Sequence, residues 1–303
     1  MSTAASRAAV LNNFFQNIKT IGGNAWEDAL LDNARRVSTP LAIVMLNQMG
    51  LGNDTNAPFK LLENACGVGV VAPVLQQIIK PEVLRKSSIL CGDFSDQAIE
   101  LVKNRITREV WLNTEATTVD AQKTGLADCT FTHVATNIGF HVVPDSEAAL
   151  NEAIRILQPG GVLGFTTWHK EPGWMVDVKE AFTSFPFEAP CEMPLQSSRW
   201  GDWADVNWIR KTLAGKGLQD VKVDLFAYLT RVDSAESFLA TFGVMMDVIM
   251  NGCWSEELRK QHPRDEVHAM VREFLEKKYG RDGWECSWIA IIASGKLPAD
   301  ARV

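Results

Sequence analysis

The sequence predicts an α/β protein: a doubly wound, mostly parallel seven-stranded sheet with N-terminal helices and helical insertions. Three observations predict it. Residues 59–168 alternate strand and helix five times, and each parallel strand pair needs a crossover helix. A turn of small residues, Ala65 to Gly69, joins the first strand to the first helix. Two further strand-like runs, VKVDLFAYLTRV and WECSWIAIIASG, complete the count near the C-terminus.

Taken in order, residues 1–56 read as helices. Ser38-Thr39-Pro40 before LAIVMLNQM is a helix start in which Thr39 caps and Pro40 suits the first turn, and Gly50 is a stop. Residues 1–56 are expected to form a helical lid, with Trp26 as a ligand contact, over a sheet domain of residues 57–303. KLLEN is the first strand. The helix after it carries apolar pairs Val70/Val71, Val74/Leu75 and Ile78/Ile79, one buried stripe. SSILCGD is the second strand, and Ser95 caps the helix that follows. WLNTEATTVD and CTFTHVATN are the third and fourth. Asp145 opens a helix that Pro159-Gly160-Gly161 stops, and GVLGFTTW is the fifth strand. Insertions are predicted at about 169–203, rich in loops and aromatics, and 234–280, helical.

Composition narrows the function. The chain has 303 residues, 46% hydrophobic, and a net charge of −7. Lys and Arg never form a run of five, which disfavours nucleic acid as a partner, because phosphate neutralisation dominates that affinity. No apolar run approaches the roughly 18 residues of a membrane span. Six scattered cysteines without a Cys-x-x-Cys pair, and no metal-ligand spacing, predict free thiols and no metal. The first residues lack a signal peptide's pattern, so a cytoplasmic protein with a small-molecule substrate is expected.

The chemistry is concentrated in Glu63-Asn64-Ala65-Cys66-Gly67-Val68-Gly69. An acid ends the strand, and small residues at alternate positions let backbone wrap a ligand. Gly67-x-Gly69-x-x-Ala72 with Asp93 downstream also matches a nicotinamide-dinucleotide fingerprint. The strand-ending Glu63 favours a cationic ligand over a pyrophosphate. Asp93-Phe94 after the second strand can serve a ribose and an adenine, Asp120-Ala121 after the third an adenine edge. Asn137 ends the fourth at the switch point.

These pieces, LLENACGVG, ILCGDFSDQAI, VDAQKTGLADCTF, NIGF and LQPGG, resemble the class I S-adenosylmethionine-dependent methyltransferases, in their UbiE-like small-molecule branch. The Asn-Ala-Cys-Gly variant is similar to enzymes of fungal secondary metabolism. The resemblance implies a Rossmann-like methyltransferase fold and S-adenosylmethionine as cofactor. It places Glu63 near the methionine amine and Asn64, Ala65, Gly67 and Gly69 at the cofactor turn. It places Asp93 on the ribose, Phe94 and Ala121 beside the adenine, and Asp120 at its amino group.

The expected reaction is O- or N-methylation of an apolar or aromatic metabolite. A cyclase that keeps the cofactor without transferring methyl is the alternative on the same fold. His141, just after the fourth strand, and His169, just after the fifth, are the candidate general bases, whereas His133 lies inside a strand. Asn137-Ile138-Gly139-Phe140 lacks the two prolines of the Asn-Pro-Pro-aromatic pattern of amino-group methyltransferases. Phe140, Trp168, Trp174, Met245 and Met246, with Trp200, Trp203, Phe242 and Met250, are expected to wall an apolar substrate site.

Overall fold

The computed structural model describes residues 26–192, 196 and 198–301. Residues 1–25 of the expected lid and the side chain of Trp26 lie outside the described residues. In chain order the elements are α1 (Trp26–Asn33), a π-helical turn (Ala34–Ser38), α2 (Thr39–Gln48), β1 (Lys60–Asn64), α3 (Val71–Ile78), α4 (Pro81–Leu84) and β2 (Ser88–Asp93). Then come α5 (Asp96–Glu109), β3 (Thr114–Thr118), β4 (Phe131–Asn137), a 3-10 turn (Phe140–Val142), α6 (Ser146–Arg155) and β5 (Leu157–Trp168). The chain ends with α7 (Gly173–Thr183), α8 (Val206–Gly215), β6 (Gln219–Val232), α9 (Ala235–Cys253), α10 (Glu256–Gln261), α11 (Arg264–Tyr279) and β7 (Trp284–Lys296).

The strands form one seven-stranded sheet in the order β3-β2-β1-β4-β5-β7-β6. β1 pairs in parallel with β2 and β4, β2 with β3, and β4 with β5, while β5 and β7 are antiparallel. The order reverses between β1 and β4. Their carboxyl ends are therefore where a sheet of this kind opens a crevice.

The chain divides into two compact units. The sheet unit holds Ala34–His169, Gln196–Phe226 and residues from Ala290 onward. Its core packs Leu62, Val134, Leu163 and Ile291 around an aromatic group. In that group Phe140 stacks on Trp203 at 5.3 Å and meets Phe165 edge-on at 5.2 Å. α2 belongs here. Its Leu41, Ala42, Met45 and Leu46 are fully buried, and the Met49 side chain fills the space over Gly164. The unit boundary thus lies at residue 33/34 rather than 56/57, because α2 is apolar enough to bury one face on β4 and β5.

Thr39 does not cap α2. The backbone before it is already helical, so its hydroxyl donates back to Ala34 O at 3.1 Å. Ser95 and Asp145 do cap, accepting from Ala98 N and Ala148 N.

The helical unit joins α1, residues from Lys170 through α7, and Ala227–Ile289. The two predicted insertions therefore fold largely together. Trp174 stacks on Phe242 at 5.6 Å, Tyr279 on Trp284 at 4.5 Å, and Phe238 packs on both Phe242 and Trp284. Among the described residues no helix is long and apolar enough to cross a membrane.

Candidate functional site

The turn between β1 and α3 is held from three sides. From within, the Glu63 carboxylate accepts from Val70 N (2.7 Å), Val71 N (2.9 Å) and Ala72 N (2.9 Å), and from the Cys91 thiol at 3.6 Å. From β2, Asp93 accepts from Gly67 N at 2.8 Å and Ser95 N at 3.0 Å. From α5, Arg105 donates to the carbonyls of Val68 and Gly69 at 2.5 and 2.6 Å.

Glu63 is 1% exposed. Burial pushes its pKa up, opposed by the three amides and the thiol. Those four donors fill its usual acceptor positions. The sequence reading puts Glu63 against the cofactor's ammonium, but in the structure this carboxylate shapes the turn instead. The same fact removes the dinucleotide reading. A pyrophosphate on this helix would need the amides that Glu63 already holds.

Three positions adopt the left-handed backbone that favours glycine: Ala65 (φ 53°), Gly67 (φ 54°) and Gly69 (φ 76°). Ala65 stands where the family pattern has a glycine. Its Cβ is accommodated because residue 139 on the neighbouring segment is itself glycine. A Cβ there would lie 3.2 Å from that of Ala65 and 2.5 Å from Thr136 Cγ2. A Cβ on Gly69 would meet Trp111 and Val102 at 3.3 Å, whereas one on Gly67 would project into open space. The turn is thus packed beneath Gly69 and open at Gly67.

Asn64, 1% exposed, has a side-chain oxygen with no hydrogen-bond partner. Asp93 is buried, its pKa raised by burial and opposed by amides of Ser95, Gly67 and Phe94, while Phe94 itself is 38% exposed. Asp120 lies exposed after β3 and accepts from Gln122 N at 2.9 Å, and Ala121 is buried beneath it in the core. Asn137 donates to Ser38 O and accepts from Thr166 Oγ1 at 2.6 Å, so its side chain is engaged within the unit. Glu63, Asn64, Ala65, Gly67, Gly69, Asp93, Phe94, Asp120, Ala121 and Asn137 all occupy the carboxyl ends of β1 to β4 or the turns that follow.

The two histidines differ. His141 is 3% exposed, burial pulls its pKa down to about 4, and its Nδ1 has no partner. It is neutral near pH 7 and too weakly basic to hold a proton there. His169 is half-buried after β5, and its Nδ1 lies 2.8 Å from Ala204 O. A carbonyl only accepts, so Nδ1 carries the hydrogen and Nε2 is the acceptor nitrogen of the neutral ring.

The expected substrate wall is largely core. Phe140 is fully buried between Phe165 and Trp203, and Trp203 uses its indole N–H on Ser146 Oγ at 2.9 Å. In the helical unit Trp174, Phe242, Met246 and Met250 are buried, and Met245 is half-buried. Stacked aromatic faces and zero exposure leave Phe140 no surface for a ligand. Trp168, at the end of β5, is half-buried. Sequence reasoning missed Arg105, which holds the turn, and Thr136, whose buried hydroxyl lacks a partner. The only signal for Arg105 was a charge on the otherwise apolar stripe of α5, beside Ile99, Leu101 and Val102.

Among the described residues no three His, Cys, Asp or Glu side chains converge as a metal site would. Cys66 and Cys91 are buried beneath the turn. The hydrogen bond between them and burial push the Cys66 thiol well up, which makes it structural rather than nucleophilic.

Residues 62–165 match the methyltransferase domain family. Methyltransferase tpcH of Aspergillus fumigatus is 31% identical over 266 residues, covering 87% of this chain and 93% of that protein. The acetylaranotin bis-thiomethyltransferase of Aspergillus terreus is 27% identical over 272 residues, 89% of each chain. The crystal structure of the YcgJ protein from Bacillus shares the fold with a TM-score of 0.53 and 12% identity, over 86% of this chain and 98% of that one. Strand order, turn and relatives agree, and the chain belongs to the class I S-adenosylmethionine-dependent methyltransferases, which act here on small molecules.

Proposed function

We propose that the protein methylates a weakly acidic acceptor, a thiol or a phenolic hydroxyl, on an apolar metabolite, with His169 taking the proton. The observation that carries this is the His169 tautomer set by Ala204 O at 2.8 Å. A neutral imidazole with Nε2 as acceptor can take a proton from a group whose pKa is about 8.5 or 10, but not usefully from an aliphatic alcohol. The relative named a bis-thiomethyltransferase supports a sulfur acceptor, and the missing prolines after Asn137 weigh against an amine.

The turn fits the cofactor. The unpartnered Asn64 oxygen and the open side of Gly67 leave room and an acceptor where it would lie. Asp93 would hold the ribose, Phe94 and Ala121 flank the adenine, Asp120 meet its amino group, and the backbone at Asn137 face the methionine part. When bound, S-adenosylmethionine supplies an already activated methyl group, so the protein's work is alignment, exclusion of water and proton removal. His141, neutral and buried, contributes a hydrogen-bond acceptor. Trp168 and Trp200, the half-buried members of the expected wall in the sheet unit, are the ones left there to touch substrate. Six free cysteines and a net charge of −7 support a reducing, cytoplasmic setting and no nucleic-acid partner.

The test is an acceptor panel. With S-adenosylmethionine, aromatic thiols and phenols should yield S-adenosylhomocysteine and a product heavier by one methylene, and His169→Asn should slow the reaction by about 100-fold at pH 7. Turnover of amines alone, or an unaffected His169→Asn enzyme, would overturn the assignment.

A further inference from the structure

We propose that Arg105 is a positioning residue for the cofactor turn, acting from outside the ligand site through the carbonyls of Val68 and Gly69. The turn's amides are held by acids: Gly67 by Asp93, and Val70, Val71 and Ala72 by Glu63. Those bonds fix where the N–H groups point. With Gly69 N on Cys66 O at 2.8 Å and Val70 N on Glu63, they also aim the carbonyls of Val68 and Gly69, in the same planar peptides, outward, where those oxygens need a donor.

Arg105 supplies it. One guanidinium nitrogen, Nη1, donates to both carbonyl oxygens, at 2.5 and 2.6 Å. The guanidinium is itself held. Nε and Nη2 donate to Glu109 at 2.9 and 3.2 Å, and its plane lies over the Trp111 ring at 4.8 Å. Trp111 is in turn tied to Glu109 by its indole N–H at 3.1 Å, and its ring occupies the space under Gly69. Arg105 is 6% exposed. Such an arrangement needs the planar, forked guanidinium, since an ammonium is a point charge that cannot bond two carbonyls, pair with a carboxylate and stack on a ring together.

The consequence is directional. With both carbonyls turned toward α5, the opposite face of the turn at Gly67 remains open for the nucleoside. Removing the guanidinium strands both carbonyls, and the turn must shift to find them other donors. Arg105 therefore sets affinity for the cofactor without touching it.

The experiment is calorimetric titration of S-adenosylhomocysteine into the wild type, Arg105→Lys and Arg105→Ala, beside thermal unfolding and amide exchange over residues 67–72. The expected result is a Kd raised about tenfold in Arg105→Lys and further in Arg105→Ala. Faster exchange should be confined to the turn in protein that is still folded. Equal Kd values in folded variants would overturn the proposal, since a merely structural arginine would lower the melting temperature and leave affinity alone. Should Arg105→Ala not fold, Glu109→Gln, which loosens the same guanidinium, must raise Kd by at least threefold or the proposal fails. No binding by the wild type would instead remove the cofactor assignment itself, and this proposal with it.

Discussion

The sheet unit and the helical unit use their buried acids in opposite ways. In the sheet unit Glu63 and Asp93 bond to backbone amides, among them those of Gly67, Val70, Val71, Ala72, Phe94 and Ser95. In the helical unit Asp177 and Asp247 bond to side chains. Asp177 accepts from Lys278 Nζ (2.9 Å), Tyr279 Oη (2.7 Å) and Trp284 Nε1 (3.2 Å), and Asp247 from Arg264 and His268. An acid that gathers amides dictates the shape of one loop. An acid that gathers side chains ties together segments distant in the chain. The first arrangement builds a ligand site, and the second holds a scaffold whose surface can vary.

The most severe way to break this contrast is Glu63→Ala. It strands three buried amides and removes the charge that orients them. Each unmet buried donor costs about 1–3 kcal/mol, so a loss of about 3–5 kcal/mol is expected, read as a lower urea midpoint. S-adenosylhomocysteine binding should disappear with it. Asp177→Ala is the counterpart. Lys278 can turn to Glu180, which it already meets at 2.5 Å, but Tyr279 and Trp284 lose their acceptor. A loss of about 2–3 kcal/mol is expected in unfolding, with S-adenosylhomocysteine affinity unchanged in the folded protein. A parallel fall in affinity would show that this acid also serves the cofactor, and the contrast would fail.

The same difference explains what could be read from the sequence. The five strand–helix alternations, the order implied by the crossovers, and the acids at successive strand ends are local patterns, and the sheet unit follows them. The roles within the pattern were harder. Glu63 sits at the expected position, but its partners are the amides seven to nine residues on rather than a ligand. Only coordinates show that four donors already surround it. Arg105 reaches back 36 and 37 residues to the turn, and no spacing rule points there. The helical unit was legible only as helices. Its grouping of α1, α7 and α9–α11 rests on contacts such as Asp177 to Trp284, 107 residues apart. Tryptophans and methionines at helical spacing carry no label separating core from ligand wall, and Phe140, Trp174 and Met246 turned out to be core.

A pH series sharpens the contrast within the sheet unit. Burial holds His141 at a pKa of about 4, against about 6.5 in the unfolded chain. Between those values the unfolded state takes the proton and the folded state does not, so this residue makes stability fall as pH drops from about 6.5 toward 4. His133, lowered by burial to about 4 with a backbone bond to Met49 opposing, acts in the same direction. Glu63 and Asp93, whose pKa values are raised, act in the opposite direction as they take up protons. The clean reading is therefore a difference. His141→Gln should reduce the stability lost between pH 7 and pH 5.5 by about 1 kcal/mol, measured as urea midpoints at both pH values. An unchanged difference would mean that the imidazole is not desolvated in solution.

The smallest expected effect belongs to Asp120. It is a strand-end acid like Asp93, yet it is exposed and bonds only to Gln122 in the following turn. Asp120→Asn keeps one side-chain acceptor for Gln122 N, and a surface substitution of this kind should change stability by less than about 0.5 kcal/mol. Its effect on S-adenosylhomocysteine depends on one hydrogen bond from the adenine amino group, worth about 1 kcal/mol at an exposed site, so affinity should fall about fivefold. Adenosine analogues separate this from a general charge effect. An analogue without the amino group should bind wild type and Asp120→Asn equally, because the bond in question is missing from both complexes. If the variant still discriminates against that analogue as wild type does, the acid belongs to the turn and not to the ligand. Asp93 would then be the last carboxylate along the sheet edge that the cofactor meets.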